Sequence, residues 1–233
     1  MDIPIYIVNY KNNDRKIKMT ERFNQLGINP KFINEVHSDD VRLNYGIDIN
    51  LKRTWAIMLQ HLDCIRDFYE NSDKLHCIVC EDDIYISKNY QNNIVNIVKN
   101  FDELNLDVLM LGYLLSYKIE MNTDLHKHYF SIVHNDNTGS YHSYPDDIWG
   151  TQMYLISKNY AEFLLNKFTP QFAFENIGTL NYSPDWIITK NGKRALINPM
   201  IAVEEGINVS DDEGQRSFHK ISHQFHYNSD IYI

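Results

Sequence analysis

Long apolar runs, a surplus of basic residues and a dense set of cysteines are all missing from this sequence. No apolar stretch approaches the ~20 residues of a transmembrane helix, so we expect no membrane span. Lys and Arg number 22 against 31 Asp and Glu, which gives a net charge of −9. Nucleic acid is therefore not an expected partner. A nucleoside diphosphate remains compatible with an acidic chain if a divalent cation lies between carboxylates and phosphates.

Cysteine is scarce, with only Cys64, Cys77 and Cys80 present. Cys77 and Cys80 form one C-x-x-C, but it lacks the second pair that most zinc sites have. Both lie in one apolar strand pattern, and positions so close on one strand cannot form a disulfide framework. We therefore predict buried free thiols.

Repeats, linkers and low-complexity tracts are also absent, which predicts a single domain over residues 1–233. Aromatic residues are abundant, with 16 Tyr and 11 Phe, so disorder is not expected. The N-terminus lacks the basic start and the apolar stretch of a signal peptide, and we expect a cytoplasmic protein.

Short apolar runs alternate with segments of helical periodicity, and this order predicts an α/β fold with a wound sheet. The expected strands are residues 3–8, 31–36, 75–80, 107–112, 152–156 and 195–203. The expected helices are residues 14–26, 51–69, 94–104, 158–168 and 185–190, with Asp14 as the first N-cap and Gly27 as its C-terminal stop. The polar stretch 116–147 predicts loops and edge strands over the site.

Three carboxylates, Glu81, Asp82 and Asp83, follow the third predicted strand directly, and we name them the acidic triplet. Ligands of open α/β sheets bind outside the carboxyl ends of the strands, which is where this triplet lies. Alternate residues face the same way, so Glu81 and Asp83 can share a Mn²⁺ or Mg²⁺ ion. The alternative is a solvated turn that caps a helix before Ile84.

Short pieces of the chain resemble, in the same order, motifs of the family 25 glycosyltransferases of lipopolysaccharide assembly and collagen glycosylation. Residues 78–84 are similar to the family's Leu-Glu-Asp-Asp-Val motif, and residues 56–61 to its helix ending in Ser-His. The other similar pieces are residues 7–10, 14–15, 26–28, 107–111, 150–157 and 184–185, with Pro199, Val203 and Ser210. The helix departs from the family at Lys52, Arg53, Thr54, Trp55 and Gln60, so donor and acceptor preference is not carried over.

This resemblance implies a GT-A-type fold, a Rossmann-like mixed sheet flanked by helices. It implies a nucleotide-sugar half over residues 1–112 and an acceptor half over residues 113–233. Val8, Asn9, Tyr10 and Arg15 are then expected beside the nucleoside, and Asp82 at the ribose or metal. An equally open alternative for Arg15 is a solvated charge on a helix face.

The resemblance also implies a third metal ligand from a C-terminal histidine, which would join Glu81 and Asp83. The candidates are His219, His223 and His226, and we favour His219. Asp185 is the candidate base that deprotonates the acceptor hydroxyl, with a helix N-cap after Pro184 as its alternative role.

The expected activity is therefore transfer of a sugar, with a UDP-hexose as the expected donor, to a glycan or protein hydroxyl in the presence of Mn²⁺ or Mg²⁺. Members of the family occur in bacteria and large DNA viruses, so a bacterial or an infected host cell would be the setting. A homodimer stays open. Two other functions stay open as well: a metal-dependent hydrolase, although no H-E-x-x-H is present, and a non-catalytic carbohydrate-binding protein.

Overall fold

The computed structural model describes residues 3–120, 123–207 and 211–233, so Ser210 of the motifs above lies outside the described residues. The described chain forms ten strands: β1 Ile5–Val8, β2 Lys31–Phe32, β3 His76–Glu81, β4 Ile84–Ile86, β5 Val108–Leu114, β6 Ile132–Asp136, β7 Gly139–Ser143, β8 Trp149–Ser157, β9 Arg194–Asn198 and β10 Ala202–Glu204. It also forms eight α-helices: α1 Asn13–Gln25, α2 Ile49–Asn71, α3 Tyr90–Glu103, α4 Asp124–Tyr129, α5 Lys158–Lys167, α6 Pro170–Glu175, α7 Pro184–Lys190 and α8 Glu213–His226.

Eight of these strands form one sheet in the order β2-β1-β3-β8-β5-β9-β7-β6. Strand β1 runs parallel to β2 and β3, and β9 runs parallel to β5. Strand β8 lies antiparallel between β3 and β5, and the β6–β7 pair continues antiparallel from β9. The predicted α/β class with a mixed sheet flanked by helices is therefore confirmed. Strands β10 and β4 form a separate antiparallel pair.

Hydrophobic cores cover both faces of the sheet, because successive side chains of a strand point to opposite faces. Tyr6 and Val8 of β1 belong to the core under α2, α5 and α7, whereas Ile5 and Ile7 belong to the core under α1 and α3. This division explains why the central strands read as continuous apolar runs. The helices lie where their apolar faces meet these cores.

Helix ends follow local chemistry, with one difference from the sequence prediction. The N-cap of α1 is Asn12, whose side chain accepts a hydrogen bond from the Arg15 backbone N–H, and not Asp14, which lies in the first turn. Gly27 adopts φ +69° just after the helix, as a glycine stop does. Helix α2 is longer than predicted, since Asp48 caps it ahead of Ile49.

The segment 116–147 was predicted to cover the site, and this prediction is wrong for its strands. Strands β6 and β7 form a hairpin that pairs with β9 and extends the edge of the sheet farthest from β2. The predicted strand 195–203 is interrupted, since β9 ends at Asn198 and β10 starts at Ala202 in the other sheet. Strand β4 was not predicted as a strand; it pairs with β10 directly after the acidic triplet.

The cysteine prediction is confirmed, since Cys64, Cys77 and Cys80 are buried and free. Burial raises the pKa of all three thiols. Within the described ranges, no helix combines the length and the apolarity that crossing a bilayer requires.

Candidate active site

The acidic triplet lies where β3 ends and the chain turns back into β4. Glu81 is the last residue of β3 and pairs with Val8, the last residue of β1. Strand β8 runs antiparallel beside β3, so its first residues, from Trp149 onward, start next to the triplet. Side chains from β1, β3 and β8 can therefore meet at this one edge.

Arg15 joins two members of the triplet on the β1 side. Its Nη1 atom lies 3.0 Å from Asp82 Oδ1 and 3.0 Å from Asp83 Oδ2. Asn9 donates a hydrogen bond from Nδ2 to Asp82, and its backbone oxygen accepts one from Gln60 Nε2 at 2.7 Å. The alternative of a solvated charge for Arg15 does not hold, because the guanidinium is partly buried against both carboxylates.

Glu81 contacts β8 and α7, while Arg15 holds Asp82 and Asp83 together, so the expected alternation of Glu81 and Asp83 against Asp82 is not observed. Asp83 is still close enough for its charge to raise the pKa of Glu81. Thr151 Oγ1 lies 3.0 Å from Glu81 Oε1 and 3.4 Å from Asp185 Oδ1. Asp185 Oδ1 also accepts the Gly150 backbone N–H at 3.0 Å. Asp185 lies in the first turn of α7 and Ser183 is the N-cap, so the alternative role of Asp185 as the cap does not hold.

The C-terminal histidines lie on α8, and each has a different partner. Nδ1 of His219 is 2.7 Å and 2.8 Å from the two carboxylate oxygens of Glu204. Nδ1 of His223 faces the Glu204 backbone oxygen at 2.8 Å, and Nε2 of His226 faces the Leu115 backbone oxygen at 3.0 Å. Of the three, His219 is therefore the one held by a carboxylate side chain of the site.

Sequence reasoning missed Glu204, although the signal was present. Glu204 and Glu205 directly follow the apolar residues of the last predicted strand, the same pattern that marked Glu81. Glu204 is 5% exposed, and Glu205 pairs with Arg22 at 2.6 Å and donates its backbone N–H to the Asp83 backbone oxygen at 2.7 Å. Two acidic strand ends thus meet at one place.

Negative charge is in excess here, and it changes the protonation of the carboxylates. Removal from water and the charges of Asp83, Asp185 and Glu204 raise the pKa of Glu81 well above its ordinary value. Removal from water and the Glu204 charge raise the pKa of Asp83, although Arg15 opposes this. Removal from water also raises the pKa of Asp185. Burial alone would lower the pKa of His219, but its hydrogen bond to Glu204 raises it.

Asp83 carries a further sign of an unsatisfied site. Its Oδ1 atom is buried and has no hydrogen-bond partner. A buried carboxylate oxygen without a partner is costly, so a cation or a donor from a ligand would stabilise it. Among the described residues, no three His, Cys, Asp or Glu side chains already form a group that could hold a metal ion.

Two clefts open on either side of the triplet. The lysine cleft, about 410 Å³, lies on the β1 side and includes Asn9, Lys11, Lys16, Phe32 and Glu35 in its lining. The tryptophan cleft, about 660 Å³, lies on the β8 side and is lined by Glu81, Leu114, Asp147, Trp149, Gln152, Asp185, Asp212, Gly214, Gln215, Phe218 and His219. Of the predicted site residues, Asn9 thus lines the lysine cleft, and Glu81, Asp185 and His219 line the tryptophan cleft.

The remaining predicted residues lie on the β1 side. Val8 is buried at the end of β1, and its position beside Glu81 fixes the backbone there. Tyr10 is 50% exposed, and its ring packs edge-to-face against His37 with centroids 5.4 Å apart. Tyr10 is therefore accessible to a ligand without rearrangement.

The family comparison decides the class of protein. The sequence profile of glycosyltransferase family 25 (LPS biosynthesis protein) matches residues 56–177, which is more than half of the chain. The chain belongs to glycosyltransferase family 25. The segment of this glycosyltransferase that matches the family includes the acidic triplet and the first residues of β8. No curated protein matches the chain significantly.

Several solved structures match this glycosyltransferase over most of its length, at low identity. A197 from STIV matches at 13% identity and a TM-score of 0.43, over 88% of this chain and 85% of that one. A glycosyltransferase involved in the glycosylation of the major capsid of PBCV-1 matches at 12% identity and a TM-score of 0.45, over 94% of this chain and 98% of that one. Mannose-1-phosphate geranyltransferase from Thermus thermophilus matches at 8% identity and a TM-score of 0.42, over 84% of this chain and 74% of that one. Likenesses this weak carry no information on substrate.

Proposed function

We propose that this glycosyltransferase is metal-dependent and transfers a hexose from a UDP-sugar to a hydroxyl of a glycan or a protein. The observation that carries the proposal is the buried carboxylate group formed by Glu81, Asp83 and Glu204 beside Asp185. Six carboxylates of the site, those of Glu81, Asp82, Asp83, Asp185, Glu204 and Glu205, face two guanidinium groups and one imidazole. A divalent cation would offset most of the remaining charge.

Glu81 and Asp83 would hold this cation, and the donor set suits Mn²⁺ or Mg²⁺. Such ions are usually bound through one or two carboxylates, with water and substrate phosphates completing the shell. His219 would be the third ligand, and Glu204 at its Nδ1 atom is the kind of carboxylate partner that orients a metal-binding histidine.

The lysine cleft would receive the nucleotide. Lys11 and Lys16 supply positive charge there, and Asn9 connects the cleft to Asp82. Asp82 would contact the ribose, Val8, Asn9 and Tyr10 the nucleoside, and Arg15 the diphosphate side. Residues 1–112 would form the donor half, and residues 113–233 the acceptor half.

Asp185 would take the proton of the acceptor hydroxyl. Its Oδ1 atom is held by Gly150 and Thr151, which fixes the carboxylate at the wall of the tryptophan cleft. A raised pKa makes a carboxylate a stronger base, which is what proton abstraction from a hydroxyl requires. The bound cation would contribute by neutralising charge on the departing diphosphate.

Thermal stabilisation by nucleotide sugars tests the proposal. We expect a UDP-sugar with Mn²⁺ to raise the Tm, whereas GDP- and CMP-sugars, or any donor without metal, should do so far less. At a ligand concentration ~100 times Kd the stabilisation is about 2.7 kcal/mol, or a Tm rise of roughly 5–10 °C for a chain of this size.

A turnover assay completes the test. With the stabilising UDP-sugar, release of UDP should depend on Mn²⁺ and should fall at least ~100-fold in Asp185→Asn, while donor binding is retained. Stabilisation by every donor equally, or none by any donor, would contradict the proposal.

A further inference from the structure

Beyond the donor side, the tryptophan cleft combines an exposed aromatic face with hydrogen-bonding groups. Trp149, the first residue of β8, lines this cleft and is 45% exposed. Trp186 packs against it at a right angle, with ring centroids 5.2 Å apart and an interplanar angle of 88°. Lys190 Nζ lies 5.6 Å from the Trp186 ring centroid on α7. The indole of Trp149 is thus braced from one side and open to the cleft.

Gln152 is a second independent feature of the same cleft. Its side chain lines the cleft although the residue is only 3% exposed, and its Oε1 atom is buried without a hydrogen-bond partner. Oε1 packs against Gly150, where an added Cβ would lie 2.0 Å from it, so only a glycine leaves room for this side chain. Rotation of the terminal amide exchanges its oxygen and nitrogen, so Gln152 can accept from or donate to a ligand hydroxyl.

The charges of the cleft restrict its ligand further. Three of its lining residues, Glu81, Asp147 and Asp185, bring carboxyl groups, whereas His219 is its one cationic group among the described residues and is engaged by Glu204. An acceptor with a phosphate or carboxylate would meet like charges, and a ligand rich in hydroxyls would meet hydrogen-bond acceptors. A pyranose ring has such hydroxyls and an apolar face that suits an indole.

We propose that the tryptophan cleft binds the acceptor as a neutral pyranose ring stacked on Trp149, with Gln152 bonded to one of its hydroxyls. This rests on the proposed function, since it names the acceptor class of that same site. It selects a glycan terminus, and not a peptide side chain, as the group that receives the sugar.

Binding of simple glycosides to the metal-free, nucleotide-free protein tests this proposal. The three tryptophans give three indole N–H signals in a ¹H–¹⁵N spectrum, and the signal missing from Trp149→Phe identifies residue 149. Neutral methyl hexopyranosides should shift the Trp149 signal, and their uronic acid counterparts should bind at least ~10-fold more weakly. Gln152→Leu should weaken the neutral glycoside ~10-fold, and Trp149→Ala more, with Trp149→Phe restoring part of the affinity.

The donor measurement separates this proposal from the function on which it rests. Trp149→Ala should keep the Tm rise with UDP-sugar and Mn²⁺, because Trp149 lies outside the lysine cleft. Phe174→Ala, which removes another exposed aromatic (40%) away from the cleft, should change neither measurement. Equal binding of neutral and anionic glycosides, unchanged binding in Trp149→Ala, or a Ser-containing peptide that shifts Trp149 while glycosides do not, would overturn the acceptor proposal.

Discussion

Asp83 is the residue at which burial and function conflict most directly. Its Oδ1 atom is buried without a partner, and Glu204 adds to the effect of burial in raising its pKa. An acid whose pKa is raised in the fold destabilises the fold when it is charged, so this carboxylate is costly at neutral pH unless a cation is bound. Removing this charge should therefore abolish metal-dependent ligand binding without lowering the stability of the metal-free protein.

We predict that Asp83→Asn abolishes the Mn²⁺-dependent Tm rise with UDP-sugar. Without metal, the free energy of unfolding should stay the same or increase, since a disfavoured charge is removed. Differential scanning fluorimetry with and without Mn²⁺ measures both effects. Asp124→Asn, at a fully exposed carboxylate, is the matched control and should resemble the wild type. If Asp83→Asn still showed the Tm rise with Mn²⁺ and UDP-sugar, Asp83 would not be a metal ligand.

His61 gives a prediction about pH. It is fully buried on α2, its Nδ1 atom lies 2.9 Å from Tyr154 Oη, and burial lowers its pKa to about 3. Because the folded pKa is below the unfolded value, the unfolded chain takes up the proton first. The stability contributed by neutral His61 is thus complete above about pH 6.5 and is lost as the pH falls toward 3.

Urea unfolding at several pH values should show this loss. We expect His61→Gln to lose about 2 kcal/mol less stability than the wild type between pH 7 and pH 5, whatever its stability at pH 7. His128→Gln changes an exposed histidine and should follow the wild-type slope. Parallel pH profiles for the wild type and His61→Gln would show that His61 is charged in the fold.

At the level of residues, the sequence indicated the end of β3 because an apolar run followed by three carboxylates is unusual inside a core. It did not indicate that Thr151 joins Glu81 to Asp185, since this contact crosses from β3 to β8 and depends on strand register. An apolar run also precedes Glu204 and marks an acidic strand end, but its place beside the triplet depends on the pairing of β10 with β4, which puts Glu204 opposite Ile84.

Among the elements, helix α8 packs closely against the chain that follows β10, and this contact requires a glycine at position 206. Gly206 adopts φ +73°, and a Cβ there would lie 2.6 Å from the Cβ of His223. The glycine therefore lets the chain after β10 pass close under α8, and this close approach keeps His219 against Glu204. A side chain at position 206 would move the helix or the loop.

We predict that Gly206→Ala weakens Mn²⁺-dependent UDP-sugar binding and lowers stability by more than the ~1–2 kcal/mol cost of a left-handed non-glycine residue. Gly178→Ala is the matched control, since Gly178 has φ +84° and no atom within 4 Å of the added Cβ. It should show the backbone cost alone, with donor binding intact. Calorimetric titration and chemical denaturation of both variants measure this difference, and equal losses would show that α8 does not depend on the close approach.

Local pattern predicted the elements whose cores are continuous, and long-range pairing decided the others. Helix α2 and strands β1, β3 and β5 were indicated because each presents a long or dense apolar pattern. The β6–β7 hairpin was expected over the site. Instead, β7 pairs with β9, so its backbone hydrogen-bonding groups are used within the sheet. Nothing within β4 distinguishes a three-residue strand from a turn; only β10 makes it one.

Across the whole molecule, the eight-stranded sheet lies between two cores and supplies side chains to both, so the two cores are expected to unfold together. Cys64 and Cys77 belong to one core and Cys80 to the other, because Cys77 and Cys80 are three residues apart on β3 and therefore point to opposite faces of the sheet. Each thiol reports on the opening of its own face, because a thiolate must be exposed before it can react.

We predict that none of the three cysteines reacts readily with a thiol reagent in the native protein and that all three react at one common rate as denaturant is added. Their pKa values are raised by burial, so native reactivity is low even at pH 8. Mass spectrometry after pulsed labelling counts the modified sites, and reducing agent should leave the Tm unchanged, since no disulfide is present. If Cys80 were modified at lower denaturant than Cys64 and Cys77, the core under α1 and α3 would open first, and the donor side would unfold separately from the rest.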